Sequence, residues 1–161
     1  MRRPSITKYT GVAQLQPYVR IGGYSAHEPL QYGMLQTDGS FNTLTRQSRV
    51  AMILKTEDGT REIKNMVAIP NCEDSTETEW ASVSHGLLFA FSEGQSRITL
   101  ENDNFSVISQ LIMKDSKPKK DYAKYMRYII LTTASKYEWV GIRWIPREMN
   151  KADNLFQKQL K

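Results

Sequence analysis

Three strand-like runs follow one another between residues 33 and 69, and no other feature constrains the fold of this chain as strongly. They read "GMLQTDGSF" (33–41), "SRVAMILKT" (48–56) and "REIKNMVAI" (61–69). The last two are joined by Glu57-Asp58-Gly59-Thr60, a turn typical of an antiparallel hairpin. Helix and strand patterns then alternate. "STETEWASVSHGLLFAFSEG" (75–94) sets Trp80, Val83, Leu87, Leu88 and Phe91 at helical spacing, with Gly94 as a stop. "RITLEND" (97–103) reads as a strand and "NFSVISQLIMKD" (104–115) as a helix. A helix over 117–138 has Tyr122, Met126, Ile129, Ile130 and Thr133 on one face and Lys120, Lys124 and Arg127 on the other. "WVGIRWIP" (139–146) is a strand, and a closing helix over 150–161 is capped by Asn150. Three antiparallel strands followed by strand–helix alternation predict an α/β fold, a five-stranded mixed sheet with helices on its faces. Residues 1–32 show no sustained period and read as an N-terminal extension or tail to a domain at 33–161.

Composition bounds the chemistry. The 161 residues are enough for one domain with a substantial core. No apolar run approaches the roughly 20 residues that span a bilayer, and the basic N-terminus has no apolar segment behind it. The single cysteine, Cys72, excludes an intrachain disulfide and suits a reducing compartment, so an intracellular, unsecreted protein is expected. One cysteine with His27 and His85 cannot build a common zinc site. Metal chemistry would therefore use carboxylates and a hard ion such as magnesium or manganese. The net charge of +5 and a sequence pI of about 9.3 suit a polyanionic partner, nucleic acid first.

Four acids sit at the ends of these elements: Asp38, Glu79, Asp103 and Asp153. Each also has an ordinary structural reading. Asp38-Gly39 suits a turn, Thr76 with Glu79 matches a capping box, Asp103-Asn104 suits a helix cap, and Asp153 complements a helix N-terminus.

Taken in order, the words around these acids resemble one family. "TDGSF" is similar to the opening strand motif of ribonuclease H. "STETEWASVS" resembles the "STEAEY" helix start of the ribonuclease H domain of copia-type retrotransposons, which places the family glutamate at Glu79. "LENDNFSVISQL" resembles the family's Asp-Asn strand-to-helix junction at Asp103. "IPREMNKADNLFQKQL" is similar to its closing segment at Asp153, and the short Asn150-to-Asp153 spacing suits the copia type.

The resemblance, which covers about 33–161, implies an endoribonuclease that hydrolyses the RNA strand of RNA–DNA hybrids and leaves 3′-hydroxyl and 5′-phosphate ends. It implies two Mg2+ ions, with Mn2+ as a possible substitute, held by Asp38, Glu79, Asp103 and Asp153. Four such acids should repel one another without metal, raising their pKa values, and metal should stabilise the fold. Ser40, Asn42, Ser75, Thr76 and Asn104 are candidate polar contacts to the nucleic acid. The basic stretch containing Lys119, Lys120, Lys124 and Arg127 falls where family members carry a substrate-binding protrusion; a solvated helix face is the other reading. Residues 1–32 are a candidate contact to a reverse transcriptase polymerase domain or another protein. A retroelement origin would place the protein in cytoplasm, nucleus or a virus-like particle.

The chain also departs from the pattern. The glycine-rich loop after the first motif is shortened to "SFNTLTRQS", Ser75-Thr76 replaces an asparagine pair, and "GIRWIPRE" lacks the histidine that aids product release. Slower turnover is expected. Two alternatives remain at this level: a DNA nuclease of the resolvase or integrase type, and a non-catalytic nucleic-acid-binding module of the same fold. Retention of all four acids favours the enzyme.

Overall fold

A computed structural model describes residues 15–158. Among them a mixed sheet forms from β1 (Val19–Gly22), β2 (Gly33–Phe41), β3 (Ser48–Lys55), β4 (Glu62–Ile69), β5 (Arg97–Asn102) and β6 (Trp139–Trp144). The strand order is β1-β6-β5-β2-β3-β4. β2, β3 and β4 form the antiparallel set, whereas β5 runs parallel to both β2 and β6. The sheet therefore has six strands where the sequence predicts five. The added strand, β1, lies within residues 1–32 and pairs antiparallel with the β6 edge. A four-residue strand is too short to show a period, which is why it is not visible in the sequence.

Helices α1 (Ser75–Ser92), α2 (Phe105–Ile112) and α3 (Asp121–Ala134) cover one face of the sheet, and α4 (Asp153–Lys158) lies on the other. Alternation along the strands feeds both faces. Leu35, Val50, Met52, Leu54, Ile98, Leu100, Val140 and Ile142 point into the larger core with Trp80, Val83 and Leu87 of α1. Ala51 and Ile53 point the other way, onto Ala152 and Phe156. Each fully buried large side chain contributes about 1.5–3 kcal/mol. The α1 face is narrower than its spacing suggests, because Leu88 and Phe91 are about half exposed. Among the described residues no helix is long and apolar enough to cross a membrane.

The closing helix begins later than expected, at Asp153, and the last residues of its predicted span, 159–161, lie outside the described ones. A 3-10 turn (Arg147–Met149) precedes it, and Asn150 turns the chain between the two. The α1 cap is also shifted. Asp74 accepts from the Glu77 N–H at 2.9 Å and Glu77 accepts from the Glu73 N–H at 2.7 Å. Glu77 therefore takes the capping position, and Glu79 is free to face elsewhere.

Candidate active site

Asp38 is not a turn residue. It sits inside β2, paired across to Ala51, and its glycine neighbour has a packing cause. A Cβ on Gly39 would lie 2.6 Å from Glu79 Oε1 and 2.8 Å from the Thr78 carbonyl oxygen. Only a residue without a side chain lets the start of α1 come this close to β2. The approach places the Gly39 N–H 2.6 Å from Glu79 Oε1, to which it donates.

Asp103 follows the last residue of β5, where the chain leaves the sheet for α2. Its position is set by buried neighbours. Asn102 is fully buried and its side-chain amide donates to the Thr37 carbonyl at 3.0 Å, while its Oδ1 accepts from Asn104 N–H at 2.7 Å. The Trp144 indole N–H donates to the Asp103 backbone carbonyl at 2.9 Å. Asn150 donates to Asp103 Oδ1 at 3.2 Å and to the Thr37 carbonyl at 2.9 Å.

Asp38, Glu79 and Asp103 thus converge from β2, α1 and the end of β5, and each offers an oxygen within 4.8 Å of the others. Asp153, the first residue of α4, lines the same cleft and shares a side-chain hydrogen bond with Asp38, and its Oδ2 is 4.0 Å from Arg147 Nε. The cleft is open, about 490 Å³, and is also lined by Ser40, Phe41, Ser75, Asn104 and Phe156.

Packing three carboxyls together in a partly dry place disfavours their charged forms. Burial, followed by the charges of Glu79, Asp103 and Asp153, pushes Asp38 up to about 9. Burial and then the Asp103 charge push Glu79 up to about 7, against the pull of the Gly39 N–H. A set of hard oxygen donors that resists ionisation alone suits a divalent cation, which would relieve the repulsion.

A family model described as reverse transcriptase-like matches residues 36–158. The chain belongs to the reverse transcriptase-like family. Solved structures agree on the fold, which is of the ribonuclease H type. The N-terminal RNase H domain of rv2228c from Mycobacterium tuberculosis, solved as a fusion with maltose binding protein, superposes with a TM-score of 0.69 at 20% identity, covering 78% of this chain and 90% of that one. RNase H1 from the halophilic archaeon Halobacterium salinarum NRC-1 gives 0.70 at 20% identity, with 76% and 92% covered. No curated protein matches the chain.

In this reverse transcriptase-like chain the remaining predicted residues divide into three groups. Ser40, Ser75 and Asn104 line the carboxylate cleft, although Asn104 also caps α2 by accepting from Val107 N–H at 3.0 Å. Thr76, Lys119 and Lys120 line a neighbouring groove of about 390 Å³ with Lys117, and the buried Trp80, whose indole N–H has no protein partner, forms part of its wall. The others stand apart. Asn42 folds its own loop by accepting from Leu44 and Thr45 N–H groups. Lys124 lies 3.8 Å from Asp121, and Arg127 donates to the Gln110 and Met113 carbonyls, tying α3 to the end of α2.

Several cleft residues escape sequence reasoning. Arg147 and Phe156 line it, and Asn150 reaches Asp103 as well as turning the chain. The sequence offers Asn150 as a helix cap and as part of the motif around Asp153, with nothing to show a contact to Asp103; a long-range contact has no local signature. His85 is half-buried on α1, with its pKa lowered by burial, and does not line the cleft.

Proposed function

We propose that the protein is an endoribonuclease that hydrolyses the RNA strand of RNA–DNA hybrids with the help of two divalent cations, magnesium first. The convergence of Asp38, Glu79 and Asp103 within 4.8 Å, in an open cleft on a ribonuclease H type fold, carries this reading. Those three residues would hold the cations, with Asp153 completing the set from α4. When bound, such ions supply an activated water and stabilise charge on the phosphoryl and leaving oxygens, so that the products carry 3′-hydroxyl and 5′-phosphate ends.

The protein's own groups position the substrate. Ser40, Ser75 and Asn104 offer hydroxyl and amide groups beside the carboxylates, suited to sugar and 2′-hydroxyl contacts on the strand to be cut. Thr76, Lys117, Lys119 and Lys120 line the neighbouring groove with cations and a hydroxyl, a suitable track for backbone phosphates of the second strand. Residues 33–161 form the catalytic unit in this reading. The N-terminal residues are the place to look for a polymerase-domain partner, and an intracellular setting suits the lone buried thiol of Cys72.

The test is incubation with a labelled RNA–DNA hybrid and magnesium, beside duplex DNA, duplex RNA, single strands and an Asp103→Asn control. Cutting confined to the hybrid's RNA, and lost in the control, is the expected outcome. Cutting of DNA would move the assignment to the resolvase or integrase type. A folded protein that cuts nothing in magnesium or manganese would be a binding module.

A further inference from the structure

One row of polar side chains crosses three neighbouring strands on the α4 face, immediately behind the carboxylates, and ends at Tyr18 just before β1. Gln36 of β2 is in register with Glu101 of β5, and Glu101 with Arg143 of β6. Two residues further along lie Asp38 in β2 and Asp103 immediately after β5. The row is fully bonded. Gln36 Nε2 donates to Glu101 Oε1 at 2.8 Å, and the Arg143 guanidinium donates to Glu101 Oε2, from Nε at 2.8 Å and also from Nη2. Tyr18, next to β1, donates its hydroxyl to Glu101 Oε2 at 3.0 Å and lies under the Arg143 guanidinium, 4.1 Å from its ring centre.

The other end of the row grips the backbone that carries Asn150. Gln36 Oε1 accepts from Lys151 N–H at 2.9 Å, and Gln36 Nε2 reaches the Met149 carbonyl at 3.3 Å. Glu101 is only 5% exposed, so its charge is held by these partners and not by solvent. A simple surface ion pair would not link a strand edge to the segment between the 3-10 turn and α4.

We propose that Tyr18, Arg143, Glu101 and Gln36 are a positioning network that fixes the Met149–Lys151 backbone, and so aims Asn150 and Asp153 at the carboxylate triad. Tyr18 lies before the family match at residues 36–158, so the N-terminal segment becomes a working part of the site and not an appendage. The inference rests on the proposed reading for its catalytic consequence. The positional consequence is independent of it.

Both are measured on the full chain, with Gln36→Leu at the near end and Tyr18→Phe at the far end. Tyr18→Phe keeps the ring under Arg143 and removes only the hydroxyl. In the metal-free protein, exchange of the Ala152 amide, which donates to Asn150 Oδ1 at 3.1 Å, should accelerate in Gln36→Leu and to a smaller degree in Tyr18→Phe. Amides at the centre of β3 should not change. Calorimetric affinity for Mn2+ should fall about tenfold in Gln36→Leu, the lower end of what groups behind metal ligands typically contribute. Hybrid cleavage should lose kcat with KM unchanged. Unaltered Ala152 exchange and Mn2+ affinity in both variants, with a lowered thermal midpoint, would reduce the row to a structural ion pair and overturn the proposal. If wild-type protein cuts no hybrid while the variants still show the exchange and affinity changes, the ribonuclease reading fails and the network stands.

Discussion

Gly39 donates its backbone N–H to Glu79 Oε1 at 2.6 Å, and the same glycine is where the first turn of α1 lies against β2. One residue thus fixes both a carboxylate and the helix that bears it. Gly39→Ala would drive a methyl group into Glu79 Oε1 and the Thr78 carbonyl. Overpacking of this kind costs about 1–3 kcal/mol, and Glu79 would shift with α1. Urea unfolding should show the loss of stability, and hybrid cleavage should fall by far more than that loss accounts for.

Stability of the metal-free protein should fall as pH rises. Asp38 moves from 3.8 to about 9 and Glu79 from 4.5 to about 7 on folding. A carboxyl with a raised folded-state pKa favours the folded state fully below its unfolded value and loses that advantage as pH climbs through its folded value. The window therefore runs from about pH 4 to about pH 9. Thermal midpoints across it should decline, the decline should flatten in Asp38→Asn, and added divalent cation should raise the midpoint most at the alkaline end.

Trp144 holds the backbone of Asp103 through its indole N–H and packs edge-on against Phe105, with ring centres 6.4 Å apart. Trp144→Phe keeps an aromatic ring and removes the donor, at a cost of about 1 kcal/mol. Cation affinity should drop with it, because Asp103 loses one of its anchors. Unchanged affinity by calorimetry would show that Asn150 and the Asn102 anchor suffice.

Arg147 stands at the rim of the cleft, 78% exposed, with Asp153 4.0 Å away. So exposed a cation adds little to stability, and Arg147→Ala should unfold within about 0.5 kcal/mol of wild type. A phosphate contact would instead appear in the salt dependence. The slope of log affinity for a hybrid against log salt should become shallower by about one.

Much of the fold was legible because it rests on local repeats. The β3–β4 hairpin follows from two apolar runs around the Asp58-Gly59 turn, and the burial of Trp80, Val83 and Leu87 follows from helical spacing. β1 was not legible, since Val19–Gly22 is a strand only because the β6 edge offers it partners. The identity of the helix cap was missed for a related reason. Thr76 and Asp74 both precede a glutamate by three residues, and only the path of the backbone decides which pair closes.

By itself the sequence determined the residue types and the elements: four acids set in or beside strands and helix starts, a hairpin, and amphipathic helices. Side-chain period and turn chemistry act over a few residues, so they can be read in one dimension. Only the tertiary structure decided that three of those acids meet within 4.8 Å, with Asp153 hydrogen-bonded to Asp38 and 4.0 Å from Arg147. It also decided that Asn150 spans 47 positions to reach Asp103, and that Tyr18 joins Glu101. Such contacts depend on strand order and register, which a parallel β2–β5–β6 arrangement sets over long separations. No local pattern encodes them.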